Sequence, residues 1–193
     1  DVYIFQPHKS AGRIPTDKGY RFFVNELMRR FELSEKERKM LRQELGKLKL
    51  VHEQLGRAIT NLISQVTGQA AFTLLPDQTS ASGLSQIIGE PEFHDAQTIS
   101  AVAEVFDHID QHATKLLREA NKDVETFIGK DLPLPVSKNL SIIVSKVKLP
   151  SGKKGVIGIV GPKRMSYAKN QSLLQYLSKL ISGSGAIILI IYG

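Results

Sequence analysis

A heptad pattern between residues 41 and 66 constrains the fold of this chain more than any other feature. Residues recur there at alternating spacings of four and three, all apolar except one histidine: Leu41, Leu45, Leu48, His52, Leu55, Ile59, Leu62 and Val66. The sequence Ser-Glu-Lys-Glu at residues 34–37 is a capping box, which predicts where the helix begins. Gly68 is a natural C-terminal stop. These signals predict one helix over residues 34–69, about 50 Å long at 1.5 Å per residue.

A helix of that length needs a partner along its apolar stripe. The stripe either packs against its own domain or associates with a second copy across a two-fold axis. We expect self-association, so the eight residues of the pattern are predicted dimerisation residues. His52 is either a register marker or a tolerated polar residue, and we prefer the second interpretation.

The remaining segments predict an α+β fold with an antiparallel sheet. Before the long helix come a strand end, a loop and a helix that Thr16 caps, with Phe23, Leu27 and Phe31 on one face. Leu140–Leu149 and Gly155–Val160 read as a hairpin, and Gly161-Pro162 should end its second strand. The other predictions are strands at 70–75 and 124–128, a polar loop at 76–83, and helices at 95–120 and about 166–181. Strands paired in a hairpin and flanked by helices favour α+β over a doubly wound sheet.

The net charge of +7 is the sum of three unlike blocks. Residues 1–57 carry +5, residues 58–137 carry −7, and residues 138–193 carry +9 with no acidic residue. Basic blocks can follow a phosphate backbone. They can equally meet the acidic block of a partner subunit, and charge alone favours neither interpretation.

Composition and missing motifs narrow the function. The chain has no cysteine, which excludes disulfides, thiolate metal sites and cysteine nucleophiles and fits a reducing cytoplasm. No apolar run approaches the ~18 residues that cross a bilayer, so we expect no membrane partner. Motifs of nucleotide-binding loops, zinc proteases and serine hydrolases are absent. His108 and His112 lie four apart without a third ligand, which favours a solvated pair. We predict neither an enzyme nor a cofactor or metal.

Three segments occur in an order that indicates a family. They read QPHKSAGRIPTDKGYR at residues 6–21, GLSQIIGEPEFHDAQTI at 83–99 and GIVGPKRMSYAKNQSLLQYLSKLI at 158–181. Together they resemble the heat-inducible transcription repressor HrcA family, in a short form with most of the winged helix absent from the chain. The family signature in the third segment falls on Gly161, Pro162, Arg164, Met165 and Tyr167.

The resemblance implies a division into three parts. Residues 1–33 would be the end of a winged-helix domain, with its wing and the following helix. Residues 34–69 would be the linker and dimerisation helix. Residues 70–193 would be a shortened GAF-like domain with a helical segment at 83–120.

It also implies a function. The family represses chaperone operons by binding the CIRCE inverted repeat as a dimer, and the GroE chaperonin keeps the repressor active. The wing would contact double-stranded DNA through Gln6, His8, Lys9, Ser10 and Arg13, with Lys18 and Arg21 extending the contact. The alternative is that this loop packs the wing onto the next helix, which we expect for Ala11, Ile14 and Pro15. Segments 140–149 and 186–192 are apolar candidates for chaperonin contact.

The chain departs from the family pattern at several points. The recognition helix should precede the wing, and a chain that begins with Asp1 inside an element suggests a piece of a longer protein. Lys9 and Lys163 stand where the family usually has Thr. About seven residues bridge a longer family segment between residues 76 and 83. A GAF-type dimerisation or ligand-sensing module without operator binding is therefore the rival interpretation.

Overall fold

The computed structural model describes residues 3–47, 54–93, 95–119, 122–132, 137–149 and 151–183. Seven strands and seven α-helices are found in these ranges. They follow in the order β1 Ile4–Phe5, β2 Ile14–Pro15, α1 Asp17–Phe22, α2 Glu35–Lys47, α3 Leu55–Thr67, β3 Ala70–Leu75, β4 Gln78–Ser82, α4 Leu84–Ile88, α5 Ala96–Asp107, α6 Ile109–Glu119, β5 Val124–Ile128, β6 Leu140–Lys148, β7 Lys154–Pro162 and α7 Tyr167–Gly183. A π-helical turn at Phe23–Leu27 and short 3-10 turns at Pro91–Phe93, Gly129–Asp131 and Ser137–Asn139 complete the helical segments.

A five-stranded antiparallel sheet forms the centre, in the order β4-β3-β7-β6-β5. Its longest pair is the predicted hairpin of β6 and β7, which runs in register from Leu140 opposite Pro162 to Lys148 opposite Lys154. Gly161-Pro162 does end the second strand, two residues later than the predicted end at Val160. Pro162 is the last residue of β7, where its missing N–H costs little. The α+β prediction is confirmed, and the architecture agrees with a GAF-like fold.

Helices cover both faces of the sheet because side chains alternate between the faces. Ile143, Ile157 and Ile159 form one core with α2, α3 and α7. Ile142 and Val144 form the second core with α4, α5 and α6. The central strands are therefore buried on both sides, which explains why β6 reads as a nearly continuous apolar run.

The heptad stripe packs inside this chain. Leu41, Leu45, Leu55, Ile59 and Leu62 are all buried in the first core, and Val66 packs against it. α2 is described to Lys47 and α3 from Leu55, and residues 48–53 between them lie outside the described residues, so one helix over 34–69 stays a prediction. The self-association expected of this stripe does not hold for these five residues, because the first face of the sheet already covers them. Leu48 and His52 lie outside the described residues.

Two other boundaries also differ from expectation. The helix expected at 95–120 is interrupted at His108, which ends α5 with a non-helical backbone, φ −116° and ψ 27°. The polar loop expected at 76–83 contains the edge strand β4, which pairs with β3 from Leu75 opposite Gln78 to Ala71 opposite Ser82. An edge strand needs little apolar surface, so its sequence carries no strong strand signal.

The N-terminal segment exposes many apolar side chains. Thr16 caps α1 as predicted, since its hydroxyl accepts a 3.1 Å hydrogen bond from Gly19 N. The helical segment then ends at Leu27 rather than near Arg30. Eight large apolar residues of this segment are exposed: Tyr3, Ile4, Phe5, Ile14, Phe22, Phe23, Leu27 and Phe31. The predicted face of Phe23, Leu27 and Phe31 thus lies at the surface.

In the part of the chain that the structure describes, no helix combines the length and the apolar character needed to span a membrane. The apolar segment at 186–192 lies outside the described residues.

Candidate nucleic-acid interface

The predicted wing is a small antiparallel hairpin. Ile4 pairs with Pro15 and Phe5 with Ile14, and these two pairs close a loop of residues 6–13, which we call the wing loop. Every residue of the wing loop is exposed except Ala11, which is half-buried. The strands are short because the segment has little to bury, so the loop projects from the body of the molecule.

Hydrogen bonds within the wing loop use some of the predicted contact residues. The Gln6 side-chain amide donates to the carbonyl oxygens of Lys9, at 3.0 Å, and Ala11, at 2.8 Å. The His8 ring and the Ser10 hydroxyl lie 3.1 Å apart. The Gln6 amide is thus engaged in the loop itself, and it fixes where Lys9 and Arg13 emerge.

Two cations of the wing loop face solvent. Lys9 and Arg13 are exposed, and neither forms an ion pair with any described residue. An exposed pair of cations on a short loop is the chemistry that phosphate oxygens accept. These two side chains are therefore the strongest candidates in the loop for contact with DNA.

The two cations beyond the wing have different surroundings. The Lys18 ammonium lies over the Tyr3 ring, 5.2 Å from its centroid, on the surface. The Arg21 guanidinium pairs with the Asp131 carboxylate and donates to the Thr126 carbonyl at 2.6 Å. These contacts hold α1 against the sheet, and the contact of Arg21 with DNA stays a prediction.

The three family segments meet in a cluster that we call the motif junction, made of Asp17, Glu90, Glu92, Lys163 and Arg164. Lys163 Nζ lies 2.6 Å from Asp17 Oδ1. Arg164 Nε lies 2.6 Å from Glu92 Oε1, and its guanidinium also pairs with Glu90. The extra charge expected from Lys163 is thus neutralised inside the chain. Ion pairs within the chain therefore join Asp17 of the first segment, and Glu90 and Glu92 of the second, to the two cations of the third.

Two further signature residues, Met165 and Tyr167, are buried beside this junction. Tyr167 is buried, donates to the Lys163 carbonyl at 2.5 Å and shares a 2.8 Å hydrogen bond with the Ser141 hydroxyl. Burial raises the pKa of Tyr167 well above its usual range. Met165 is buried, and its sulfur accepts from Asn170 Nδ2 at 3.4 Å. These contacts give the signature a structural role, because they fix the position of the turn that carries Lys163 and Arg164.

Sequence reasoning missed the acidic half of the junction. Asp17, Glu90, Glu92 and Asp131 all pair with cations that lie far away in the sequence. The opposite charges of the three blocks were the available signal, because acidic residues of 58–137 pair with cations of both basic blocks within one chain. Neither interpretation of the charge blocks, a phosphate backbone or a partner subunit, includes these pairs within one chain.

Comparisons with known proteins agree with the three segments. A family model described as HrcA protein C terminal domain matches residues 18–170. The heat-inducible transcription repressor HrcA of Dehalococcoides mccartyi is 23% identical over 278 residues, covering 93% of this chain and 80% of that protein. The Geobacter sulfurreducens repressor HrcA is 28% identical over 161 residues, covering 83% and 45%. That of Moorella thermoacetica is 46% identical, but the match covers only 40% of this chain and 22% of that protein.

The length of the longest of these alignments bears on the shortening expected between residues 76 and 83. Its 278 positions exceed the 193 residues of the chain by 85, so the relative has segments without a counterpart here. Within residues 76–83, where the shortening is expected, the chain makes a tight turn and forms β4, which pairs directly with β3.

Among solved structures, a crystal structure at 2.2 Å resolution of a hypothetical protein has a TM-score of 0.63 with 14% identity. The match covers 94% of this chain and 80% of that protein. At that identity the similarity describes the fold alone, and it extends over both the wing and the sheet.

Proposed function

Because the chain belongs to the HrcA family, we propose that the protein acts as a negative transcriptional regulator of chaperone operons. It binds a CIRCE-type inverted repeat in double-stranded DNA as a dimer, in the cytoplasm. It is not an enzyme. The observation that carries the proposal is the wing loop, where Lys9 and Arg13 are exposed and without an acidic partner among the described residues.

The anchoring of the wing supports this proposal. Arg21 ties α1 to β5 through Asp131 and Thr126, and Asp17 ties α1 to the turn after β7 through Lys163. A loop held from both ends of the following helix keeps a set orientation, which contacts to a phosphate backbone require. Gln6, His8, Ser10 and Lys18 complete the proposed contact surface.

The same anchoring suggests how the GroE chaperonin regulates the repressor. The wing is oriented only while the sheet is folded, because both ties end on elements of the sheet or the turns beside it. Partial unfolding would release the wing and expose β6, which is buried at the centre of the sheet. A chaperonin that captures such a state and returns it folded would restore repression.

Dimerisation in this proposal uses a surface other than the buried part of the heptad stripe. Inverted-repeat binding requires two-fold symmetry. Light scattering of the full-length gene product at concentrations that bind the operator should give the mass of a dimer. The mass of a single subunit under those conditions would contradict operator binding as a dimer.

The wing loop is tested by Arg13→Ala in the full-length gene product, in gel shifts on an inverted-repeat promoter at several salt concentrations. We expect affinity to fall about fivefold to tenfold and the salt slope to fall by about one, because one phosphate contact is lost. Arg57→Ala is the matched control, since Arg57 is also exposed and unpaired among the described residues but lies on α3.

Two results would argue against the proposal. Equal effects of both substitutions would mean that Arg13 contributes only general charge. Binding that ignores the operator sequence altogether would favour the rival function, a GAF-type dimerisation or ligand-sensing module. Repeating the gel shift after heat treatment, with and without chaperonin, tests the GroE step, and equal recovery in both arms would refute that step.

A further inference from the structure

A cavity of about 790 Å³ lies at one end of the sheet, away from the wing. β3 and β6 end there, while β5 and β7 begin there. The C-terminal half of α7 closes one side through Gln175, Ser178 and Lys179. Leu74, Leu75, Val124, Val147 and Val156 give the cavity an apolar wall. The volume and the wall are typical of a site for a small organic molecule.

The basic block of residues 138–193 converges on this cavity. Of its nine cations, Lys153, Lys163, Arg164 and Lys169 pair with carboxylates elsewhere on the molecule. Four cations of the block line the cavity: Lys146, Lys148, Lys154 and Lys179. Among the described residues of the lining, Asp123 supplies the single carboxylate. The cavity therefore carries a local excess of positive charge.

Two of these lysines are placed at a cost to the free protein. Lys148 and Lys154 are directly opposite each other in the β6–β7 register, and both are exposed. Like charges that face each other across an antiparallel pair destabilise it. An anion bound between them would turn this repulsion into attraction, so the pairing is an independent indication of an anionic ligand.

A buried hydroxyl lacks a partner at the same place. Ser145 lines the cavity and is 1% exposed, and its Oγ has no hydrogen-bond partner among the described residues. Alternation along β6 puts Ser145 and Val147 on the face that α7 covers and puts Lys146 and Lys148 on the opposite face. Lys148 and Lys154 therefore share a face with Leu74 and Val156, while Ser145 lies on the other face, under α7.

We propose that this cavity binds a small amphiphilic anion, whose apolar part lies against Leu74 and Val156 and whose phosphate or carboxylate contacts Lys148 and Lys154 on the same face of the sheet. Such a site would make the stability of the sheet depend on a metabolite, since a ligand that binds only the folded state stabilises it. This inference is independent of operator binding.

Phenyl phosphate is the probe for calorimetric titration of the intact protein. Phenol supplies the ring without the charge, and inorganic phosphate supplies the charge without the ring. We expect phenyl phosphate to bind at least about tenfold more tightly than either, because only it uses both parts of the site.

The double variant Lys148→Gln/Lys154→Gln should weaken phenyl phosphate at least about tenfold, as expected for the loss of charge-assisted hydrogen bonds. Its unfolding temperature without ligand should stay equal or rise, because the facing cations are removed. Ser145→Ala, on the opposite face of the sheet, should leave the affinity for phenyl phosphate unchanged and should not lower that temperature, since no hydrogen bond of the free protein is lost. Lys36→Gln/Lys39→Gln is the matched control, with two exposed lysines on α2.

Equal affinity in the two double variants would overturn the proposal, as would equal affinity for phenol and phenyl phosphate. A second arm titrates double-stranded DNA of unrelated sequence. If Lys148→Gln/Lys154→Gln weakens DNA while leaving phenyl phosphate unchanged, the lysines serve a nucleic acid and the small-molecule site is refuted.

Discussion

At the scale of single residues, close contacts fix several side chains that the sequence alone leaves open. Gly158 faces Phe72 across the β3–β7 pair, and a Cβ at Gly158 would lie 2.2 Å from Phe72 Cζ. Phe72 is fully buried, so its ring cannot move aside. Glycine is a weak strand former, but at position 158 its missing side chain leaves the space that the Phe72 ring fills in the second core.

Gly158→Ala should therefore destabilise the protein by ~1–3 kcal/mol through overpacking. Urea denaturation followed by circular dichroism measures the change. Gly46→Ala is the control of opposite sign, because a Cβ there meets nothing within 4 Å and alanine is favoured in a helix by up to ~1 kcal/mol. Equal effects of the two substitutions would contradict the packing of Phe72 on Gly158.

Arg21 is a second residue whose role follows from its contacts. Arg21→Ala removes the ion pair with Asp131 and the hydrogen bond to the Thr126 carbonyl. Since the side chain is partly exposed, we expect a loss of ~1–2 kcal/mol in unfolding free energy. Arg13→Ala, measured in the same urea series, should change stability by less than ~0.5 kcal/mol. An Arg21→Ala variant as stable as the wild type would contradict the structural role of Arg21 and favour its contact with DNA.

At the scale of elements, local signals were reliable where they depended on neighbouring residues. The capping box of α2 is present: the Ser34 hydroxyl accepts from Glu37 N at 3.2 Å, and Glu37 Oε2 accepts from Ser34 N at 2.8 Å. Both groups lie within one turn, so their sequence spacing alone determines the contact. These hydrogen bonds from Ser34 hold the pKa of Glu37 below its ordinary value of 4.5.

The capping box gives a pH dependence. A carboxylate with a lowered pKa stabilises the fold above its unfolded value, near 4.5, and this contribution is lost as the pH falls through the folded value. Ser34→Ala should cost ~1 kcal/mol near neutral pH, and this cost should shrink as the pH falls through the lowered pKa of Glu37 and its carboxylate is protonated. Thermal unfolding over a series of acidic pH values measures this. A cost that stays constant would show that the Glu37 half of the box contributes nothing.

At the scale of the whole molecule, the heptad stripe belongs to the core of one chain. Leu41 is fully buried against the first face of the sheet, together with Ile59 and Ile143. A stripe buried within a protomer stabilises it at any concentration. An interface between protomers stabilises only the assembled form, so its contribution depends on protein concentration.

Leu41→Ala should lower the unfolding free energy by ~2–5 kcal/mol through the cavity it leaves. The urea midpoint of the variant should not change with protein concentration over a wide range. Val66→Ala, in the same stripe but only half-buried, should cost clearly less. A midpoint that rises with concentration in the wild type and not in Leu41→Ala would mean that this leucine also serves an interface between protomers.

The motif junction shows where prediction from sequence stopped. The three family segments, the cap of α1, the β6–β7 hairpin and the α+β class were all accessible from residues close together in the chain. The pairs Asp17–Lys163 and Arg164–Glu92 were not, because 146 and 72 residues separate the partners. Only the folded sheet brings those partners within reach, so no local pattern could indicate them.

The sequence by itself determined the family, the class of fold, the helix caps and the exposed cationic wing loop, since each depends on composition or on spacing within a few residues. Tertiary structure decided which side of each element is covered, and therefore that the described residues of the heptad stripe pack within one chain. It also decided which cations are paired: Arg21, Lys163 and Arg164 in ties across the molecule, Lys9 and Arg13 left exposed. The physical reason is that burial and ion pairing depend on distances in space, which a linear pattern does not contain.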